Sequence, residues 1–265
     1  MHQIIRLWTP GETPLLSASY GDFEPDIELW LLEDGKTHPC VVVIPGGAYA
    51  GVCDGHEGRE ICELLNAAGH SAVILHYRVH PYCYPAPQLD AHRAVRTVRF
   101  FAKEWGIDPH KIGVIGFSAG GHLAMCAALD FDYGMDTGDE IDRVSSRPDN
   151  AALCYGVLSL DPAITHMGTR ENFLGDNDPA LAVRYSGENM MRPDAPPFFL
   201  WHTSEDGAVP PECSLRFASS LINSGKQCTL HMFPQGEHGL GRAKNTPLAN
   251  QWGELYVNWL NFVNG

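Results

Sequence analysis

The stretch from Lys111 to Leu129, KIGVIGFSAGGHLAMCAAL, decides the fold of this chain. It begins with a short apolar run rich in β-branched residues, Ile112 to Ile115, passes through the glycine-rich turn GFSAGG, and continues from His122 in good helix formers. This order predicts a buried parallel strand, a sharp turn and a helix. Ser118 lies inside the turn, in the pattern G-x-S-x-G.

A serine in this position can act as a nucleophile. On a tight strand-to-helix turn it adopts a strained backbone, and small neighbours let the chain pass close by. The hydroxyl of Ser118 then stands at the edge of the sheet, where the N-terminus of the next helix favours negative charge. The alternative is a glycine-rich turn that holds an incidental serine. The nucleophile hypothesis therefore requires a base, a carboxylate and an oxyanion hole elsewhere in the chain.

Length and charge narrow the class of protein. The chain has 265 residues, 44% of them hydrophobic, and we expect one α/β domain over residues 1–265 with irregular, cap-like connections at about 130–195. The net charge of −14 argues against nucleic acids and anionic membranes as partners. No apolar segment is long enough to predict a membrane-spanning helix, and the N-terminal residues do not have the pattern of a secretory signal.

The cysteines and histidines indicate neither disulfides nor a metal. The eight cysteines form no C-x-x-C pair, so we expect small buried thiols in a reducing, cytoplasmic location. The thirteen histidines do not form an H-E-x-x-H motif. We therefore expect no metal and no cofactor.

Strands and helices alternate along the rest of the chain. After an irregular leader over 1–24, the apolar pattern predicts strands at 26–32, 39–45, 71–77, 112–115, 151–158, 197–202 and 228–233, and helices at 58–68, 88–105, 122–129, 209–224 and 245–263. Strand–helix alternation is typical of a doubly wound sheet. We expect a mostly parallel central sheet with helices on both faces.

Two later loops offer the groups that Ser118 needs. His238 follows the last predicted strand in FPQGEHG, where flanking glycines suit a loop that reaches over the sheet and where an imidazole could accept the serine proton. The loop after PFFLWH carries two carboxylates that could orient this base, Glu205 and Asp206. Asp206 is preferred, and Glu205 stays an alternative.

Backbone N–H groups are candidates for an oxyanion hole. The apolar run PCVVVIP ends in the glycine-rich sequence GGAYAG, which allows N–H groups to turn toward a cavity. One donor would be Gly47 or Ala48 from this loop, and the other would be Ala119, directly after Ser118.

Several motifs together resemble one family. They are IPGGAYAG at 44–51, DGHEGR at 54–59, LHYRVHP at 75–81, PAPQLDAHRAVR at 85–96, GFSAGGHLA at 116–124, FFLWHTSEDGAVP at 198–210 and FPQGEHG at 233–239. Over about residues 25–262 the chain resembles bacterial serine esterases of the α/β-hydrolase fold, in the acetyl esterase and acetylxylan-esterase-like group. The resemblance implies Ser118 as nucleophile, Asp206 as acid and His238 as base, in the chain order of that fold. The family loop usually reads P-G-G-G-Y, and Ala48 replaces a glycine while keeping its N–H.

The resemblance implies a carboxylesterase that needs no cofactor. Its expected substrate is a small-molecule or oligosaccharide ester with a short acyl group, such as acetyl on a sugar, cleaved through an acyl-enzyme. An amide or formamide hydrolase on the same fold is the alternative. A non-catalytic binding protein is disfavoured because all three triad residues are present, and homo-oligomer formation is left open.

Three further residues are candidate substrate contacts. Tyr49 in the oxyanion loop could wall the acyl pocket, Glu57 could contact substrate hydroxyls, and Tyr84 on the proline-rich loop could stack on a sugar. For each of them, packing or helix capping is the alternative. His122, after the nucleophile turn, is expected to be a hydrogen-bonded core histidine.

Overall fold

One eight-stranded sheet organises the computed structural model, which describes residues 3–21, 23–136, 138–176 and 178–265. The strands are β1 Ile4–Arg6, β2 Asp26–Trp30, β3 His38–Ile44, β4 Ser71–His76, β5 Ile107–Phe117, β6 Asn150–Cys154, β7 Phe198–Thr203 and β8 Cys228–Phe233. The helices are α1 Glu60–Ala67, α2 Ala86–Phe100, α3 Ala119–Leu129, α4 Met167–Leu174, α5 Pro179–Arg184, α6 Glu212–Asn223 and α7 Trp252–Asn264.

The sheet is parallel from β4 to β8 and antiparallel at one edge. Its strand order is β1-β2-β4-β3-β5-β6-β7-β8, and only the pairings of β1 with β2 and of β2 with β4 are antiparallel among the described strands. The parallel strands place their C-terminal ends at one edge of the sheet, which is where α/β proteins of this kind bind ligands. The predicted mostly parallel sheet is confirmed.

Two hydrophobic clusters cover the two faces of the sheet. Neighbouring residues of β5 point to opposite faces, so that Val114 joins the cluster built with α2, α3 and α6, while Ile115 joins the cluster built with α1 and α7. Because both faces are covered, the buried parts of the central strands, such as residues 40–44 of β3 and 112–117 of β5, are apolar rather than alternating. The predicted placement of helices on both faces is therefore confirmed.

The N-terminal leader differs from its prediction as an irregular segment. Ile4–Arg6 forms the edge strand β1, and backbone hydrogen bonds from Leu29 N to Gln3 O (2.8 Å) and from Leu7 N to Pro25 O (3.0 Å) extend the pairing with β2. A strand of three residues is too short to display an alternating pattern in sequence. Its pairing with a distant partner, rather than its own composition, decides its structure.

The two longest predicted helices are shorter in the structure than the apolar pattern indicated. α2 ends at Phe100, and turns lead from there into β5. The C-terminal helix α7 begins at Trp252 instead of residue 245. Pro247 disfavours helical backbone in the residue before it, and Leu248 has a φ of 65°.

The described part of the chain has no helix of the length and apolarity that crossing a membrane requires.

The connections predicted to be cap-like, at about 130–195, include the central strand β6 and the short helices α4 and α5. Thr137 and Asn177, within this range, lie outside the described residues. The helices α4 and α5 follow β6 at the C-terminal edge of the sheet. The extent of a single domain over 1–265 stays a prediction.

Candidate active site

Ser118 lies between β5 and α3 in a strained conformation, with φ 53° and ψ −118°. The turn packs so tightly that glycine is required on both sides. A Cβ at Gly116 would lie 2.1 Å from the carbonyl oxygen of Gly120, and a Cβ at Gly120 would lie 2.1 Å from that of Ile44. The backbone N–H of Ser118 donates to Cys154 O at 3.0 Å, so the neighbouring strand holds the strained residue in place.

Three side chains that are far apart in sequence meet at this turn. His238 Nε2 lies 2.8 Å from Ser118 Oγ, and His238 Nδ1 lies 2.7 Å from Asp206 Oδ2. Asp206 is buried, whereas the His238 side chain is 23% exposed. The hydroxyl can donate to Nε2 while Nδ1–H donates to the carboxylate. This geometry gives the serine a base whose tautomer and orientation are set by a buried carboxylate.

The structure distinguishes the two candidate carboxylates. Glu205 is exposed, and its Oε2 accepts a hydrogen bond from Gly236 N at 3.2 Å. Asp206 contacts His238 directly. Glu205 therefore supports the loop that leads to His238, and Asp206 occupies the position of the orienting carboxylate.

Hydrogen bonds keep Asp206 ionised despite its burial. Its Oδ1 accepts from the N–H groups of Ala208 (3.0 Å) and Val209 (2.9 Å). Burial by itself would raise the pKa of Asp206, but hydrogen bonds from His202, His238 and Val209 outweigh it and hold the pKa well below its usual range. The carboxylate can therefore stabilise a protonated imidazole at neutral pH.

His202 was missed as a site residue in the sequence. It is fully buried, and its Nε2 lies 3.1 Å from Asp206 Oδ2 and 3.1 Å from Val209 O, while its Nδ1 lies 2.8 Å from Ser214 Oγ. A carbonyl oxygen only accepts, so Nε2 carries the proton and Nδ1 accepts from the Ser214 hydroxyl. His202 thus donates to the same carboxylate oxygen as His238. Its position four residues before Asp206, at the end of β7, was the available signal.

The loop from Gly46 to Gly51 presents N–H groups next to the turn at Ser118. Gly47, Ala48 and Tyr49 have consecutive positive φ angles of 132°, 55° and 54°. Within the part of the chain that the structure describes, the N–H groups of Gly47, Ala48 and Ala119 donate to no acceptor. A substrate oxygen could accept from them, and the loop and helix α3 are the elements predicted to supply an oxyanion hole.

Glu57 supports this loop from beneath. Its Oε2 accepts from Gly46 N at 2.8 Å, and its Oε1 accepts from the hydroxyl of Tyr155 at 2.7 Å. The same hydroxyl accepts from Gly241 N at 2.9 Å, and the Tyr155 ring contacts the His238 ring edge-on at 5.1 Å. The prediction that Glu57 contacts substrate hydroxyls is therefore corrected: the carboxylate is buried and joins the oxyanion loop to the loop of His238.

Tyr49 and His122 form a buried pair under the same loop. His122 Nε2 lies 3.0 Å from Tyr185 O, a group that only accepts, so Nδ1 accepts from the Tyr49 hydroxyl at 2.9 Å. Burial lowers the pKa of His122 to about 4. The expectation of a hydrogen-bonded core histidine is confirmed. Tyr49 has no exposed surface, so packing describes its position rather than the wall of an acyl pocket.

Tyr84 lies farther along the same edge and is half-buried. Its ring packs against those of Phe173 and Tyr185, and its hydroxyl lies within hydrogen-bond distance of the Tyr185 hydroxyl, at 2.9 Å. The structure thus brings Ser118, Asp206 and His238 together. Of the three predicted substrate contacts, Tyr49 is packed in the interior and Glu57 accepts hydrogen bonds from two other segments, while contact of half-buried Tyr84 with a substrate stays a prediction.

One group of side chains could offer ligands to a metal ion. Glu28, Asp54 and His76 each place one ligand atom within 4.8 Å of the others. The guanidinium of Arg59 pairs with Glu28 at 3.1 Å and with Asp54 at 2.9 Å. Its positive charge already compensates both carboxylates, so the arrangement is an ion-pair cluster.

The parallel sheet, the strained serine turn and the chain order Ser118, Asp206, His238 define a protein of the α/β-hydrolase fold. Within this fold the chain belongs to the BD-FAE family, whose model matches residues 26–221. The predicted resemblance to esterases of the α/β-hydrolase fold is confirmed.

Several relatives share most of this chain. The crystal structure of an acetyl ester-xyloside bifunctional hydrolase from Caldicellulosiruptor lactoaceticus superposes with a TM-score of 0.96 at 44% identity, covering 99% of this chain and 97% of that one. An acetylxylan esterase of Xylanibacter ruminicola is 30% identical over 88% of this chain and 47% of its own length. Endo-1,4-beta-xylanase B of Butyrivibrio fibrisolvens is 35% identical over 84% of this chain. The chain spans only 35% of the length of that xylanase.

Proposed function

We propose that this protein is a serine carboxylesterase that removes short acyl groups, principally acetyl, from sugars or oligosaccharides. The observation that carries the proposal is the hydrogen-bonded series from Ser118 Oγ through His238 to Asp206 on a strained turn. The loop with Gly47 and Ala48, and the first turn of α3 with Ala119, flank it with N–H groups that donate to no acceptor among the described residues. The names of two relatives, an acetylxylan esterase and an acetyl ester-xyloside hydrolase, support the substrate class.

In the acylation step, Ser118 Oγ attacks the ester carbonyl carbon while His238 Nε2 takes the hydroxyl proton. The carbonyl oxygen becomes an oxyanion that accepts from the N–H of Ala119 and from that of Gly47 or Ala48. The intermediate then collapses: the bond to the leaving alcohol oxygen breaks, and His238 returns the proton to that oxygen. The product is an acyl-Ser118 ester and a free sugar hydroxyl.

Deacylation repeats these steps with water as the nucleophile. His238 accepts a proton from the water, the hydroxide adds to the acyl carbon, and collapse releases the carboxylic acid while the proton returns to Ser118 Oγ. In both halves Asp206 stabilises the imidazolium. The lowered pKa of Asp206 keeps its carboxylate ionised at neutral pH. A protonated carboxyl group could not stabilise the imidazolium in this way.

The decisive experiment measures hydrolysis of p-nitrophenyl acetate by the wild type and by Ser118→Ala. We expect the variant to lose on the order of 10⁴- to 10⁶-fold in kcat, as triad knockouts do, because the nucleophile is gone. Ser219→Ala, an exposed serine on α6, is the matched control and should keep the wild-type rate. Comparable rates for wild type and Ser118→Ala would rule out the mechanism.

A substrate series defines the acyl group and the leaving group. Esters from acetate to octanoate should show falling kcat/KM with chain length, and acetylated xylan fragments should be deacetylated. Formylkynurenine tests the alternative of an amide or formamide hydrolase on the same site. Preference for the formamide over every ester would replace the esterase proposal.

We also propose a reducing, cytoplasmic location. All eight cysteines are free thiols, and Cys53 is exposed. Thiols of this kind persist in reducing compartments, whereas exported proteins commonly carry disulfides. Cell fractionation with an antibody against the protein tests the proposal, and recovery from the extracellular fraction would contradict it.

A further inference from the structure

A cavity of about 370 Å³ opens on the same edge of the sheet as Ser118. Its walls come from three segments: the leader, through Tyr20 and Phe23; the residue Val52, just after the oxyanion loop; and the end of β4 with the loop that follows, through His76 and Tyr82. The lining is predominantly aromatic and apolar. The residues proposed for catalysis do not line it.

The position of this cavity relative to Ser118 follows from the sheet. β4, β3 and β5 are adjacent and parallel, so His76 at the end of β4 and Ser118 after β5 lie at the same edge. The two strands are two inter-strand spacings apart, about 10 Å. The oxyanion loop lies between them, and His80 N donates to Tyr49 O at 2.6 Å, which joins the cavity wall to that loop. A short oligosaccharide can span such a distance.

Contacts with the protein hold the aromatic wall in place. Ser17 N donates to the Tyr82 hydroxyl at 3.1 Å, and the Arg78 guanidinium donates to Pro14 O. The rings of Tyr20 and Tyr82 meet edge-on with centroids 5.1 Å apart. Tyr20 is nevertheless 48% exposed, so part of its surface is available to a ligand at the mouth of the cavity. Phe23 is exposed to a similar extent.

Charged groups adjoin the aromatic wall. His76 and His80 both line the cavity, and His80 is exposed. The ring nitrogens of His76 lie 2.6 Å from Asp26 and 3.6 Å from Asp54, which pairs with Arg59. The wall therefore offers apolar ring surface next to hydrogen-bond donors and acceptors. A sugar ring matches this combination, because its faces carry C–H groups and its edge carries hydroxyls.

We propose that this cavity is a subsite for a neutral sugar ring of the oligosaccharide, distant from the ring that carries the scissile ester. In this subsite Tyr20 and Phe23 cover a face of the ring, while the exposed imidazole of His80 lies beside its hydroxyls. The proposal of this subsite rests on the proposed esterase function. It implies that the leaving group of the substrate is a chain of sugars.

The test compares kcat/KM for acetylated xylotriose with kcat/KM for p-nitrophenyl acetate, which is too small to reach the cavity from Ser118. In Phe23→Ala and in Tyr20→Ala we expect the ratio of the two values to fall roughly five- to tenfold, mainly through a higher KM for the sugar ester. Phe262→Ala, on α7 and 78% exposed, is the control and should keep the wild-type ratio.

His80→Ala removes the exposed imidazole of the lining and tests the polar side of the subsite, where we expect the same ratio to fall. Thermal unfolding of each variant checks that it is folded. If the wild type deacetylates xylotriose but the ratio is unchanged in all three variants, the subsite is wrong and the esterase proposal stands. If the wild type hydrolyses p-nitrophenyl acetate but no acetylated sugar, the sugar-ester proposal itself fails, and the subsite with it.

Discussion

Two glycine-rich turns at the same edge of the sheet form the candidate site, and they are stabilised in different ways. The turn at Ser118 is held by close backbone contacts of Gly116 and Gly120 with the chain around them. The loop at Gly46–Gly51 is held by distant side chains, chiefly by Glu57, which accepts from Gly46 N, and by the Tyr155 hydroxyl that donates to Glu57. The turn at Ser118 thus depends on close packing of backbone atoms, whereas the oxyanion loop depends on side-chain hydrogen bonds.

The largest expected effect comes from the backbone packing around the turn at Ser118. In Gly120→Ala the new Cβ would lie 2.1 Å from Ile44 O and 2.4 Å from Pro45 O, both backbone atoms that cannot move without disturbing β3. We expect a loss on the order of 3 kcal/mol in the free energy of unfolding. Displacement of Ser118 should also lower kcat at least about 100-fold. Chemical denaturation and p-nitrophenyl acetate kinetics measure the two effects.

Gly55→Ala is the matched control, because a Cβ at Gly55 meets no described atom within 4 Å. It should keep wild-type activity. If Gly120→Ala were as stable and active as Gly55→Ala, the turn would not depend on close backbone contact.

An intermediate effect is expected when a hydrogen bond that supports the oxyanion loop is removed. Tyr155→Phe leaves Glu57 Oε1 and Gly241 N without their hydrogen-bond partner inside the protein, which should cost about 1–3 kcal/mol of stability. Because the hydroxyl joins the oxyanion loop to the His238 loop, we expect kcat to fall on the order of tenfold, with a smaller change in KM.

Tyr256→Phe provides the comparison for this variant. The Tyr256 hydroxyl is buried and has no hydrogen-bond partner among the described residues, so its removal should change stability by less than about 1 kcal/mol and leave kcat unaffected. Equal kcat values for the two variants would mean that Tyr155 does not position the site.

The smallest effect is expected inside the oxyanion loop itself. Ala48 has a φ of 55°, so Ala48→Gly removes strain of about 1 kcal/mol, which the greater freedom of glycine in the unfolded chain partly offsets. The N–H group is retained, and we expect a net stabilisation below about 1 kcal/mol with kcat within about twofold of the wild type. Thermal unfolding and steady-state kinetics measure both.

Ala50→Gly, in the same loop, should instead destabilise, since Ala50 is not among the described residues with positive φ. If the two substitutions changed the free energy of unfolding in the same direction, backbone strain at Ala48 would not explain the effect of Ala48→Gly.

The sequence-based predictions succeeded where the signal is contiguous in the sequence and failed where it depends on contacts between distant segments. Ser118 was identified as a candidate because the strand, turn and helix around it are contiguous, and Asp206 and His238 because each lies in a loop that follows a predicted strand. Glu57 was placed near the right loop but given the wrong partner, because the pattern DGHEGR does not show that its carboxylate turns inward toward Gly46. Tyr155 lies in an apolar run where nothing marks it as a hydrogen-bonding residue, and the one signal for His202 was its position four residues before Asp206.

The sequence by itself determined the mostly parallel sheet, the turn at Ser118 and the chain order of the triad, because these depend on local hydrophobic pattern and turn chemistry. Only the tertiary structure decided that Asp206 rather than Glu205 faces His238, that Ile4–Arg6 pairs as an edge strand, and that Tyr155 connects two loops. Each of these depends on which group lies opposite in space. A backbone or side-chain hydrogen bond between residues tens of positions apart leaves no periodic trace in either segment.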